Sequence, residues 1–121
     1  MTAVLAQSFY VEQVNDVTVV CTMVPAIVDG NYELISDELF ELVEHITAHG
    51  PIQVVMDLGS LKSIDDWGVA MLRAFDETID SCGGVTIFCR LSDTVAAALH
   101  ESGLSSSLRI CETCAQAVWS F

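Results

Sequence analysis

Two short apolar runs, "IQVVMDL" at 52–58 and "VTIFC" at 85–89, constrain this chain more than any other feature. Neither shows the polar alternation of a strand with one wet face, so each must be covered on both sides. Between them Met71, Leu72, Phe75 and Ile79 recur at helical spacing. An apolar strand, an amphipathic helix and a second apolar strand form a unit that closes as a parallel pair crossed over by the helix.

The flanking segments extend that unit. "FYVEQVND" and "VTVVCTMV" are β-rich runs meeting at Asn15-Asp16, a hairpin signal, and the more uniformly apolar second run belongs inside the sheet. Leu34, Ile35, Leu39, Leu42, Val43 and Ile46 mark an amphipathic helix, with Glu33, Asp37, Glu38, Glu41 and Glu44 on or near its other face. His49-Gly50-Pro51 ends it, because glycine accepts a left-handed cap and proline cannot continue the ladder. "SCGG" ends the second helix. A third, "SDTVAAALHESG", is capped by Ser92 or Asp93; "SLRIC" is a short strand and "CAQAVWSF" a terminal helical turn. The expectation is a single small α/β domain over residues 1–121, core about 9–118, with a mixed sheet and about four helices.

At 121 residues and 52% hydrophobic, such a domain buries roughly two-thirds of its unfolded surface without a disulfide. The opening "MTAVLAQSFYVEQ" has no basic leader and no run reaches the roughly 18 apolar residues of a membrane span, which predicts a cytoplasmic protein. Cys21, Cys82, Cys89, Cys111 and Cys114 are an odd set that fits reduced thiols. Cys111 and Cys114 make a lone C-x-x-C near the C-terminus, read as structural; neither they nor His45, His49 and His100 complete a metal pattern, and no cofactor is expected. Four Lys and Arg against 17 Asp and Glu give a formal charge of −13, which repels nucleic acid and anionic membranes and favours a partner with a basic contact face.

The stretch "SIDDWG", Ser63 to Gly68, stands where the first apolar strand hands over to the second helix. A helix starting near Asp66 leaves four N–H groups without intrahelical partners, and either Asp65 or Asp66 can accept from them. Ser63 and Asp66 also have capping-box spacing. Trp67 fits capping less well: an aromatic in a first helical turn is either a lid on the sheet edge or an exposed anchor for a partner.

The run "VVMDLGSLKSIDDWGVAMLRAF" resembles the signature segment of STAS domains, the family of bacterial anti-sigma-factor antagonists, through Asp57, Leu58, Leu61, Ile64, Asp65 and Gly68. The resemblance spans nearly the whole chain: Asp29 in "VPAIVD" stands at the family's acidic position, and "GGVTIFCRLSDTVAAAL" and "SGL" are similar to later elements. Family antagonists switched by phosphorylation carry serine or threonine directly after the motif aspartate. Here that position is Asp66, followed by Trp67 where a small residue is common, and Ala26 replaces a glycine usual before the first-helix loop.

The resemblance implies a non-catalytic protein-binding module, meeting a serine-kinase-type anti-sigma factor or related regulator through Asp29, Ser63, Ile64, Asp65, Asp66, Trp67 and Gly68. Phosphoserine at a helix N-terminus carries about −1.5 to −2 charge beside free N–H donors; Asp66 supplies about one negative charge that no phosphatase removes. Ser60 and Ser63 are the nearest hydroxyls, and both precede the switch position. There is no Ser-His-Asp grouping, P-loop or Gly-rich dinucleotide turn to suggest an enzyme. Two alternatives remain: a receiver-like domain with Asp57 as phospho-acceptor, which lacks an acidic pair for Mg²⁺ and a late lysine, and a small-ligand-binding or scaffold role in the same fold.

Overall fold

The computed structural model describes residues 3–5, 8–104 and 106–121. In chain order the elements are β1 (Ala3–Leu5), β2 (Phe9–Val14), β3 (Val17–Thr22), β4 (Ala26–Ile27), α1 (Tyr32–His49), β5 (Gln53–Asp57), β6 (Ser63–Ile64), α2 (Asp66–Ser81), β7 (Val85–Cys89), α3 (Asp93–Glu101), β8 (Arg109–Cys111) and α4 (Cys114–Trp119). The main sheet has the order β1-β2-β3-β5-β7-β8; β2 runs antiparallel to both of its neighbours, β1 and β3, and β3, β5, β7 and β8 are mutually parallel. At the hairpin between β2 and β3, Asn15 takes φ 55°, a left-handed conformation that asparagine tolerates better than most residues.

Helices cover both faces, which accounts for the two continuous apolar runs. Val54 and Met56 of β5 and Phe88 of β7 point to one face, where Ile35, Leu39 and Ile46 of α1, Leu72, Phe75 and Ile79 of α2, and Val95 and Leu99 of α3 close over them. Val55 and Ile87 point to the other face and pack with Val17, Val19 and Ala117 of α4. Each fully buried Leu, Ile or Phe contributes about 1.5–3 kcal/mol, so these two clusters set the register of every central strand.

The helix boundaries follow local chemistry. Gly50, at φ 61°, closes α1 by donating its N–H to the Ile46 carbonyl, 2.6 Å away. Ser92, not Asp93, caps α3 by accepting from Val95 N. α1 reaches back to Tyr32, so Leu34 lies in its first turn and is 54% exposed, not on the buried stripe its spacing predicts. Two features lie outside the sequence expectation: the edge strand β1, and a separate parallel pair in which Ala26 and Ile27 of β4 lie beside Ser63 and Ile64 of β6. Two-residue strands carry too little periodicity to be read from sequence. No helix among the described residues is long and apolar enough to cross a membrane.

Candidate functional site

The small β4–β6 pair brings together the loop before α1 and the start of α2. Pro25 O accepts from Lys62 N at 2.7 Å and Ser63 N at 3.1 Å, and Ile27 O accepts from Asp65 N at 3.3 Å. Asn31 secures the other side: its Oδ1 accepts from Val28 N and its Nδ2 donates to Ala26 O, each at 2.9 Å. An asparagine that binds its own nearby backbone is a common loop device, here closing the turn at Asp29-Gly30-Asn31 before α1.

Asp65 is the centre of this joint. Its Oδ1 accepts from Trp67 N at 3.0 Å and Gly68 N at 3.1 Å, and its Oδ2 accepts from Asp29 N at 2.8 Å. One carboxylate therefore caps α2 and ties the preceding loop to it. The capping box expected from Ser63 and Asp66 does not form: Ser63 lies in β6, two residues before the true N-cap, with its side chain exposed. The spacing matched, but pairing with β4 holds Ser63 in extended backbone away from the helix end.

With Asp65 as cap, Asp66 becomes the first residue of α2 and faces solvent. Among the described residues its carboxylate accepts no hydrogen bond and forms no ion pair. Trp67 is 52% exposed, and its ring meets Tyr32 with centroids 5.1 Å apart and planes tilted by 48°. Trp67 is thus both a lid, across the first turns of α1 and α2, and an exposed aromatic. Tyr32 went unnoticed in the sequence because a contact between two helix starts has no local pattern. Asp29, Gly30, Tyr32, Glu33, Leu34 and Trp67 border an open depression of about 590 Å³ beside Asp66.

Gly68 and Ile64 support this face from beneath. A Cβ on Gly68 would lie 2.4 Å from Ile64 Cγ1 and 2.6 Å from the Ile27 carbonyl oxygen. Only glycine lets α2 seat this closely on the β4–β6 pair.

The STAS domain model matches residues 9–117. The chain belongs to the STAS domain family. Among curated proteins no sequence matches significantly. Solved structures with the same fold include an anti-sigma-factor antagonist (STAS) domain protein from Planctomyces limnophilus (16% identity, 93% of this chain and 96% of that chain, TM-score 0.79). An anti-sigma factor antagonist from Mycobacterium paratuberculosis matches at 20% identity over 93% of this chain and 91% of that one, TM-score 0.77. The anti-sigma factor antagonist SpoIIAA in its unphosphorylated form matches at 18% identity over 91% and 92%, TM-score 0.72. The STAS fold thus accounts for the mixed sheet and the four helices.

Asp57, the residue a receiver-like reading would use, is only 8% exposed at the end of β5. Its Oδ1 accepts from Gly59 N at 2.8 Å, and its Oδ2 pairs with Arg90 Nη1 at 3.2 Å. Its neighbours among ligand-type side chains are the thiols of Cys89 and Cys114, not the second carboxylate that a Mg²⁺ pocket needs. The geometry suits a structural carboxylate that turns the chain out of β5.

Proposed function

We propose that this STAS domain is a non-catalytic regulatory module of the anti-sigma-factor-antagonist type, which docks a protein partner on the face formed by the β4–α1 loop and the start of α2. The partner that fits best is a serine-kinase-type anti-sigma factor or a related regulator of the cytoplasm, with a basic contact surface. Asp29, Ser63, Asp66 and Trp67 supply the exposed contacts, while Ile64, Asp65 and Gly68 shape them from behind. The domain works as one unit over residues 1–121, by contact alone.

The observation that carries this reading is the division of labour between the two aspartates. Asp65 satisfies the helix end, so Asp66 is not needed for capping and its charge stands free beside an exposed aromatic. In the family pattern that place belongs to a switchable hydroxyl, and here it holds a fixed charge. The formal charge of −13 speeds encounter with a basic partner and makes association slow as ionic strength rises.

The test compares the native chain with Asp66→Asn and Asp66→Ser against a kinase-type anti-sigma factor in the presence of ATP. Native protein remains unphosphorylated at the signature, Asp66→Ser accepts phosphate, and both substitutions change partner affinity by more than tenfold, about 1.4 kcal/mol. Equal affinity for all three proteins, with the serine variant unmodified, would refute the assignment of position 66 to recognition. Stoichiometric phosphate on Ser63 of the native chain would instead show a displaced switch.

A further inference from the structure

The carboxyl ends of the parallel strands carry an unusual row. Register pairing joins Tyr10 to Cys21, Cys21 to Asp57, Asp57 to Cys89 and Cys89 to Cys111, so one line across five strands bears three thiols and a carboxylate. The row lies on the sheet face covered by α4, whose first residue is Cys114. There the Cys114 sulfur comes within 2.7 Å of the Cys89 sulfur, across 25 residues of chain. The reactive atoms of Asp57, Cys89 and Cys114 all lie within 4.8 Å of one another, and Cys21 Sγ is 3.9 Å from Asp57 Oδ2.

Both thiols are free and their sulfurs are in direct contact at 2.7 Å, so little movement separates the pair from the roughly 2.05 Å of a disulfide. We infer that Cys89 and Cys114 are a covalent modification site, a dithiol that a small hydroperoxide converts to a disulfide stapling α4 to the end of β7. This inference is independent of the partner-docking reading.

Access assigns the two sulfurs different roles. Cys114 lines an open groove of about 400 Å³ together with Cys21 and Asp57, whereas Cys89 is fully buried behind it. Burial raises the Cys21 thiol to about 11 and the Cys89 and Cys114 thiols also upward. At Cys114 the hydrogen bond from Cys89 and the Arg90 guanidinium pull back toward the thiolate, while at Cys89 the same hydrogen bond pushes further up. The Asp57 carboxylate adds to burial in pushing Cys114 up, so both thiols rest protonated, and of the two it is Cys114, the sulfur a peroxide can reach, that gives up its proton more readily.

In the first step the Cys114 thiolate attacks the peroxide, the O–O bond breaks, and Cys114 sulfenic acid and an alcohol (or water) form. The Cys89 sulfur then displaces the sulfenic hydroxyl, which leaves as water, and the S–S bond closes. Two thiols supply two electrons to one peroxide, with R–OOH and two S–H groups yielding R–OH, water and the disulfide. Because burial keeps the thiols protonated, reaction at neutral pH is slow, and the reduced form persists until peroxide rises.

The experiment treats the reduced full-length protein with hydrogen peroxide under anaerobic conditions. The expected product is 2 Da lighter by intact mass, with Cys89 linked to Cys114 in fragment spectra, and its Tm is higher by on the order of 5–10 °C from the closed loop. Cys114→Ser and Cys89→Ala each abolish the 2 Da loss, whereas Cys82→Ser and Cys111→Ser keep it. Far-UV circular dichroism checks that each variant is folded; Cys114→Ser, at the start of a peripheral helix, decides the matter if Cys89→Ala does not fold. Oxygen additions without the 2 Da loss, or a cross-link through Cys82 or Cys111, would overturn the assignment. So would one equivalent of Co²⁺ producing thiolate charge-transfer absorption and blocking the peroxide reaction, since the cluster would then be a metal site.

Discussion

The joint at the start of α2 and the row at the strand ends are each built around an aspartate, Asp65 and Asp57, and the two use their carboxylates in opposite surroundings. Asp65 accepts three backbone N–H groups at the protein surface. Asp57 is nearly buried, takes one backbone N–H and one guanidinium, and stands among thiols. The first arrangement holds two segments of chain in register and leaves the neighbouring Asp66 exposed; the second stands at the mouth of an open groove beside a sulfur pair of which only Cys89 is fully buried. A carboxylate whose lone pairs are taken up by backbone is architectural wherever it sits, and what it frees or shields beside it determines the chemistry available.

The strongest way to break that comparison is Asp65→Ala. It removes the cap, about 0.5–2 kcal/mol, and the bond to Asp29 N, about 1 kcal/mol more, so urea unfolding should show a loss of about 1.5–3 kcal/mol. A loss below 0.5 kcal/mol would mean that the β4–β6 pair alone sets the joint. Next comes Gly68→Ala, which forces a methyl against the Ile27 carbonyl and should cost about 1–3 kcal/mol; a neutral result would show that α2 can lift away without penalty.

A smaller effect sharpens the contrast from the side of the strand-end row. Burial raises the Cys21 thiol to about 11, while in the unfolded chain it titrates near about 8.5. Its folded-state value is the higher one, so its contribution is intact below about 8.5 and is lost as pH rises through about 11. Denaturation midpoints should fall across that window, and less steeply in Cys21→Ala; an identical slope in the two proteins would remove Cys21 from the account. Smallest is Asp66→Asn, which withdraws only a charge–dipole contribution of roughly 0.3–1 kcal/mol from an uncapped position. A stability loss as large as that of Asp65→Ala would reverse the roles given to the two residues.

The contrast also separates what could be read before folding from what could not. "IQVVMDL", "VTIFC" and the stripe of Met71, Leu72, Phe75 and Ile79 announced a covered sheet because a strand without alternation and a helix with one apolar face leave few ways to exclude water. The helix stop at Gly50 and the turn at Asn15-Asp16 were legible for the same reason, each being a local backbone preference. Capping was legible only to within a residue or two. The choice of Asp65 over the Ser63–Asp66 spacing depended on β6 pairing with β4, and those partners are 37 residues apart in the register that joins Ala26 to Ser63.

The order of the longer strands and the four helices, the acidic surface, and the presence of two carboxylates where α2 begins could all be read from the chain alone. Each of these rests on periodicity, composition or the conformational freedom of single residues, all properties of short stretches of chain. Tertiary structure alone decided that Asp65 bonds to Asp29 N, that Trp67 lies on Tyr32, that Arg90 turns back onto Asp57, and that the lone C-x-x-C is split so that Cys114 meets Cys89. Those contacts join residues far apart in sequence, and the sheet register that brings them together is set by the two apolar clusters, not by any preference of the residues that touch.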